Sequence, residues 1–241
     1  MFNYLKAEFL KQKHLFILKL LWIAPLITVI LPIVLMGGNY FVEGAFNWWY
    51  TMILPCTLAM MIAFTTSTEK KYNRHSLFAV CVYKKNLWIS RILMLTIILL
   101  FVNLIFFAFM IASCAFFGIY VPFGSSFTAC IVLFLTFAWQ IPVFIFISEK
   151  LGSFFSIIIS FSLNLGFGIL FAPTKLWYVP FAIPARLMCP IIKVLPNGLP
   201  LEVGNSLSNS SVVFIGIIIT AALYIIFSFI TTVWFSRKEV I

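Results

Sequence analysis

The stretch ILMLTIILLFVNLIFFAFMIASCAFF, residues 92–117, runs for 26 positions without a Lys, Arg or Glu. A helix rises about 1.5 Å per residue and the hydrocarbon core of a bilayer is about 30 Å thick, so about 20 apolar residues suffice to cross it. Working outward from this stretch, five more uncharged runs of similar length appear, at 20–38, 47–66, 127–147, 154–172 and 212–235. The composition agrees. Of 241 residues 63% are hydrophobic and 9% charged, and the mean hydropathy is +1.14, whereas a soluble domain carries about 25% charged residues to keep its surface wetted. The chain is expected to be an all-α polytopic membrane protein with six transmembrane helices.

Sixteen Lys and Arg stand against six Glu, Asp is absent, and the net charge is +10. In a polytopic chain such an excess marks the loops held on the cytoplasmic side, and no nucleic-acid reading motif is present to suggest another use. With both termini inside, thirteen basic residues lie on the inner side, among them Lys6, Lys70, Lys71, Arg74, Lys84, Lys85, Arg91, Lys150 and Arg237. Only Lys175, Arg186 and Lys193 fall outside. The expected orientation is therefore N-in/C-in, and an even number of spans agrees with it. The first run starts after nineteen residues and ends in Gly37-Gly38 without an A-x-A cleavage site, so it reads as a retained anchor.

Three segments are not spans. Residues 1–19, MFNYLKAEFLKQKHLFILK, set Phe2, Leu5, Phe9 and Phe16 on one side, with Lys6, Glu8 and Lys13 turned elsewhere, which predicts an interfacial amphipathic helix. A basic flank that only fixes topology is the plainer alternative. Residues 68–91 interleave the chain's densest charge with Leu77, Phe78, Val80, Val82, Leu87 and Trp88, as expected of a cytoplasmic helix docked in a partner's groove or laid along the membrane. The connection at 173–211 holds six of the eleven prolines. Because proline fixes φ and removes a donor, this connection is expected to be broken into short helices, with Pro196-Asn197-Gly198 as a turn and a polar run at 204–211.

The chemistry of catalysis is sparse. No G-x-x-x-x-G-K-[ST] phosphate loop, HExxH or His/Cys cluster occurs, and the only histidines, His14 and His75, lie in basic segments. The five cysteines are scattered without a CxxC pair and read as small hydrophobes. No ionisable group falls within the six runs, which disfavours an ion-coupled carrier. Gln140 before Pro142, and Asn164 before Gly166 and Gly168, either face a substrate path or join helices by hydrogen bonds. Trp48, Trp49 and Tyr50 are either belt anchors at the outer end of the second span or a flat surface at a lateral opening.

Certain stretches carry a resemblance: MFNYLKAEFLK at 1–11, FNWWYTMILP at 46–55, TEKKYN at 68–73, KKNLWISRI at 84–92 and VPFAIPARLMCPIIKVLPNGLPL at 179–201. Together they resemble the ABC-2 type permease, and more narrowly the permease subunits of lantibiotic-immunity ABC transporters. The resemblance covers essentially the whole chain as one transmembrane domain, residues 1–241. It implies a bacterial plasma-membrane subunit that is not itself an enzyme and has no cofactor or metal of its own. Mg-ATP would be bound by two copies of a cytosolic ATPase partner. A second permease, a paralogue or another copy, would complete the complex. The substrate would be a cationic antimicrobial peptide removed from the membrane. Glu69, Lys70, Lys71, Tyr72, Arg74 and His75 would lie in or near the ATPase-coupling helix.

Substrate-facing candidates are Glu43, Trp48, Trp49, Tyr50, Gln140, Asn164 and Glu202. Glu43 and Glu202 are the only outer carboxylates, set against three outer cations, so charge attraction alone does not recognise a cationic peptide. The alternatives are an ABC-2 permease for another drug or lipid, as in bacitracin-type export, and a small-molecule capture subunit of an importer. An intramembrane enzyme would need a polar catalytic cluster within the spans.

Overall fold

The computed structural model describes residues 1–12, 16–36, 40–71, 83–118, 122–202 and 204–237, with the side chains of Met36 and 69–71 outside the description. Among the described residues the chain is helical, with no β-strand and a single isolated bridge between Val194 and Pro200. The helices are α1 (Phe2–Gln12), α2 (Ile17–Met36), α3 (Phe41–Trp48), α4 (Leu54–Lys71), α5 (Lys84–Phe117), α6 (Phe123–Ala138), α7 (Gln140–Leu151), α8 (Ser153–Phe171), α9 (Ile183–Ile192) and α10 (Ser211–Ser236).

Five stretches are long and apolar enough to cross a membrane: Ile17–Leu35, Phe41–Thr68, Lys84–Phe117, Ser153–Phe171 and Ser211–Ser236. The pair α6 and α7 makes a sixth if it counts as one span, since it passes the same test but is bent by 41°. The expected unbroken run at 127–147 is thus a bent pair. Pro142 has no N–H to offer the carbonyl of Ala138, and its ring crowds that oxygen, so α6 ends at Ala138 and a new axis starts at Gln140.

Other boundaries move for related reasons. The third span begins at Lys84 rather than Ile92, because Leu87, Trp88 and Arg91 pack inward and the helix continues past the end of the apolar run. The second begins at Phe41, and between α3 and α4 it carries a π-helical turn, Trp49–Ile53. There the Leu54 N–H reaches back to Trp49 O, just before Pro55, which has no N–H for the carbonyl of Thr51.

The core runs along α3, α4, α5 and the α6–α7 pair. Phe46, Trp49, Leu54, Leu99, Phe106, Phe137 and Phe144 are all fully enclosed. Helices α2, α8 and α10 wall the bundle, and each leaves an apolar face outward. Only 11% of the apolar window of α10 is buried, with Phe214, Ile218, Ile225 and Phe229 exposed. A helix that is hydrophobic all round and yet mostly uncovered suits lipid as its solvent.

α1 lies against α5. Its apolar residues Phe2, Phe9 and Leu10 face outward, while Glu8 and Gln12 are buried and Leu5 packs on the bundle beside Tyr4. The expected helix over 1–19 is shorter, since α1 ends at Gln12 and Phe16 stands just before α2, and within α1 Phe2 and Phe9 keep the expected outward apolar side. Leu5 departs from it, and Glu8, which ion-pairs with Lys11, is turned into the protein.

The connection after α8 folds into the bundle as α9, seated against α6, α8 and α10. Gly216 lets α10 approach it closely: a Cβ there would meet Leu187 Cδ1 at 2.9 Å and Ile183 Cγ2 at 3.0 Å. The Pro196-Asn197-Gly198 turn forms as expected. The Gly198 N–H donates to Leu195 O, the Leu195 N–H to Leu199 O, and Gly198 has φ +89°, the geometry of a type I turn closed by a left-handed residue. The polar run that follows supplies caps, with Asn205 Oδ1 accepting from Leu207 N and Asn209 Oδ1 from Ser211 N.

Candidate functional site

The structure gathers the chain's polar chemistry into two places, one at each end of the bundle, with a neutral pair between. At one end Trp88 in α5 stacks on Phe235 of α10 at 4.4 Å, and its Nε1–H donates to Thr231 Oγ1 at 3.1 Å. One helical turn on, Arg91 places its guanidinium 5.5 Å from the Trp88 ring centre and 3.9 Å from Glu149 of α7. Both ionic side chains are fully buried. Lys150, the next residue, lies 5.5 Å over the ring of Trp234. The Tyr83 N–H points to Tyr4 Oη at 3.4 Å. The start of α5, the end of α7, the end of α10 and α1 therefore share one end.

Arg91 and Glu149 were not among the expected site residues. They flank apolar runs, where charge reads as a topology signal, yet they form a buried ionic pair between α5 and α7. The sequence does carry a sign of it. Trp88 and Arg91 are three apart, which on a continued helix places an aromatic ring and a cation on one face.

Trp49 and Tyr50 are enclosed in the bundle, neither at its rim nor at an opening. The π-helical turn aims the Trp49 Nε1–H at Asn103 Oδ1, 3.1 Å away, and stacks its ring on Phe106 at 4.6 Å. Asn47 donates from Nδ2 to Tyr50 Oη at 2.9 Å and to Pro196 O at 3.1 Å, so the tip of the 195–199 turn is tied to the second span. Trp48 and Glu43 are half-buried and Glu202 is exposed.

Gln140 and Asn164 meet across α7 and α8. Gln140 Nε2 donates to Asn164 Oδ1 at 2.8 Å, and Asn164 Nδ2 donates to Gln140 Oε1 at 3.0 Å and to Ser160 O at 2.8 Å. Of the two readings open for these residues, helix joining accounts for their hydrogen bonds.

Of the coupling residues, Glu69, Lys70 and Lys71 occupy the last turn of α4, with side chains outside the description; Tyr72, Arg74 and His75 lie outside the described residues.

Among the described residues no three His, Cys, Asp or Glu side chains come together as a metal site. A groove of about 230 Å³ opens between α2 and α5, lined by Leu26, Ile30, Ile33, Phe109 and Phe116, with Ser113 its only polar side chain. Beyond that hydroxyl, no lining side chain would orient a polar ligand.

The fold and these clusters define an all-helical chain with several helices able to cross a membrane. The chain matches no family model, no curated protein and no solved structure.

Proposed function

We propose that this chain is the permease subunit of an ABC exporter of the ABC-2 type, which removes a lantibiotic-type cationic peptide from the bacterial plasma membrane when a separate ATPase hydrolyses ATP. In this reading six spans cross the membrane, with both termini in the cytoplasm, and two ATPase copies and a second permease complete the complex. The observation that carries it is the contact of Tyr4 with Tyr83. It brings α1 beside the entry to α5, so one cytosolic partner has both the N-terminal helix and the segment between the second and third spans within reach.

The ionic cluster extends that argument. Trp88 and Arg91 belong to the same first turns of α5 and contact α10 and α7. A push on the segment before α5 would therefore be felt by two other spans. Glu69 through His75 would dock into the ATPase and pass on that force. Substrate recognition would rest on amphipathic surface more than on charge, since the outer carboxylates Glu43 and Glu202 are outnumbered by cations.

The test is to express the chain with its genomically adjacent ATPase and permease in a lantibiotic-sensitive strain, and to measure survival and surface-bound peptide. A Walker-dead ATPase serves as control. Protection that vanishes in the control is expected. Unchanged sensitivity with an assembled complex overturns the immunity reading and leaves export of another drug or lipid. In the reconstituted complex, Glu69→Ala is expected to lower peptide-stimulated ATPase activity with assembly intact.

A further inference from the structure

Arg186 is the fourth residue of α9 and only 5% exposed. Its Nη1 donates to Leu207 O at 2.7 Å, in the Ser206–Ser208 turn. The Cys189 thiol is its other polar neighbour; burial pushes that thiol up to about 11 while the guanidinium beside it pulls the other way, so it stays neutral and brings no negative charge. Among the described residues no carboxylate lies within ion-pair distance of Arg186. Of the two acidic residues at this end, Glu202 is exposed and Glu43 half-buried.

A guanidinium is charged at every accessible pH and offers five donors in a planar fork. Held in a largely dry place against a neutral carbonyl and a neutral thiol, it lacks the anion that normally accompanies a buried cation. The start of α9 adds to the deficit, because a helix N-terminus carries partial positive charge. The carbonyl it touches belongs to the turn just before α10, a candidate span. The end of a span is where phospholipid headgroups lie.

We infer that Arg186, with α9 and the Ser206–Ser208 turn, forms an anion site at this end of the bundle that takes a phosphate group, from a lipid headgroup or from free inorganic phosphate. The planar fork suits phosphate oxygens bidentately. This inference does not depend on the exporter reading, since it concerns only a charge and its surroundings.

The full chain is purified and placed in nanodiscs of diglucosyl-diacylglycerol, a phosphate-free lipid, with or without phosphatidylglycerol of matched acyl chains. Retained lipid is counted by native mass spectrometry. A second arm adds inorganic phosphate to discs of the phosphate-free lipid alone at constant ionic strength and follows thermal unfolding. A preference for phosphatidylglycerol of about tenfold is expected, the size that one charge-assisted hydrogen bond gives, and Arg186→Gln abolishes it. Arg186→Lys keeps part of it, while Lys175→Gln and Lys193→Gln leave it intact. Stabilisation by free phosphate that is lost in Arg186→Gln supports the same site with a soluble ion as its occupant. No preference for either anion in the wild-type chain overturns the proposal whatever the variants do, as does a preference that survives Arg186→Gln.

Discussion

Gln140 and Asn164 close a two-way amide pair at 2.8 and 3.0 Å, whereas Arg91 and Glu149 stand 3.9 Å apart, although all four side chains are buried. Each amide gives and receives one hydrogen bond from the other, so little of either is left unsatisfied when water is removed. The ionic pair is longer than a hydrogen bond, and Arg91 is also held by the face of Trp88. Charges lose far more than amides on leaving water, and their attraction offsets the loss only when both partners are present. The neutral pair therefore fastens two helices at small risk. The ionic pair makes one end of the bundle depend on each member.

The largest effect expected from breaking this comparison is Arg91→Ala. It leaves the Glu149 carboxylate buried without the guanidinium and should cost about 3–5 kcal/mol, read as a loss of unfolding free energy in detergent. The double change Arg91→Leu with Glu149→Leu should be less damaging than Arg91→Ala; a double variant no better than the single would show that the two charges do not support each other.

Next comes Gly216→Val, which tests a join made without polar groups. Side-chain atoms there would overlap Leu187 and Ile183, and overpacking of this kind costs about 1–3 kcal/mol. Protease access to the α9 connection should rise with it. Gln140→Leu should cost less, about 0.6–2 kcal/mol, the range for interhelical hydrogen bonds in membrane proteins, with Asn164→Leu in the same range. A loss as large as that of Arg91→Ala would erase the proposed difference between neutral and ionic pairs. Asn47→Ala should have the smallest effect, about 1 kcal/mol or less, from two partly buried hydrogen bonds to Tyr50 and Pro196. Its clearer sign would be faster amide exchange at Gly198 and Leu199.

Much of the architecture was legible in the chain, for physical reasons that also explain what was not. The apolar runs report the length needed to cross lipid, so the helices at 17–36, 84–117, 153–171 and 211–236 lie where the runs predict to within a few residues, apart from the start of α5. The turn at 196–198 and the broken connection around α9 follow from proline and glycine, whose effects are local. What lipid obscures is direction. In water an apolar residue points inward, but here Phe229 faces out and Trp49 faces in with equal apolar character. The inward turn of Trp49 and Tyr50 depends on a π-helical turn that no periodicity announces. The burial of Arg91 depends on α7 and α10 arriving beside it, which spacing along one helix does not show. The amide pair was visible only as two polar residues in apolar runs, and its partnership needed the fold.

The seat of α9 has a consequence for how the molecule is made. Translation proceeds from the N-terminus, so residues 183–192 are polymerised before residues 211–236. A ten-residue apolar helix is too short to cross the bilayer alone, and one of its walls, the Gly216 face of α10, is supplied only by a helix made after it. Ile183 and Leu187 must wait for that wall, and insertion of α10 completes the seat that α6 and α8 begin. A chain that lacks α10 leaves the apolar side of α9 that carries Ile183 and Leu187 uncovered.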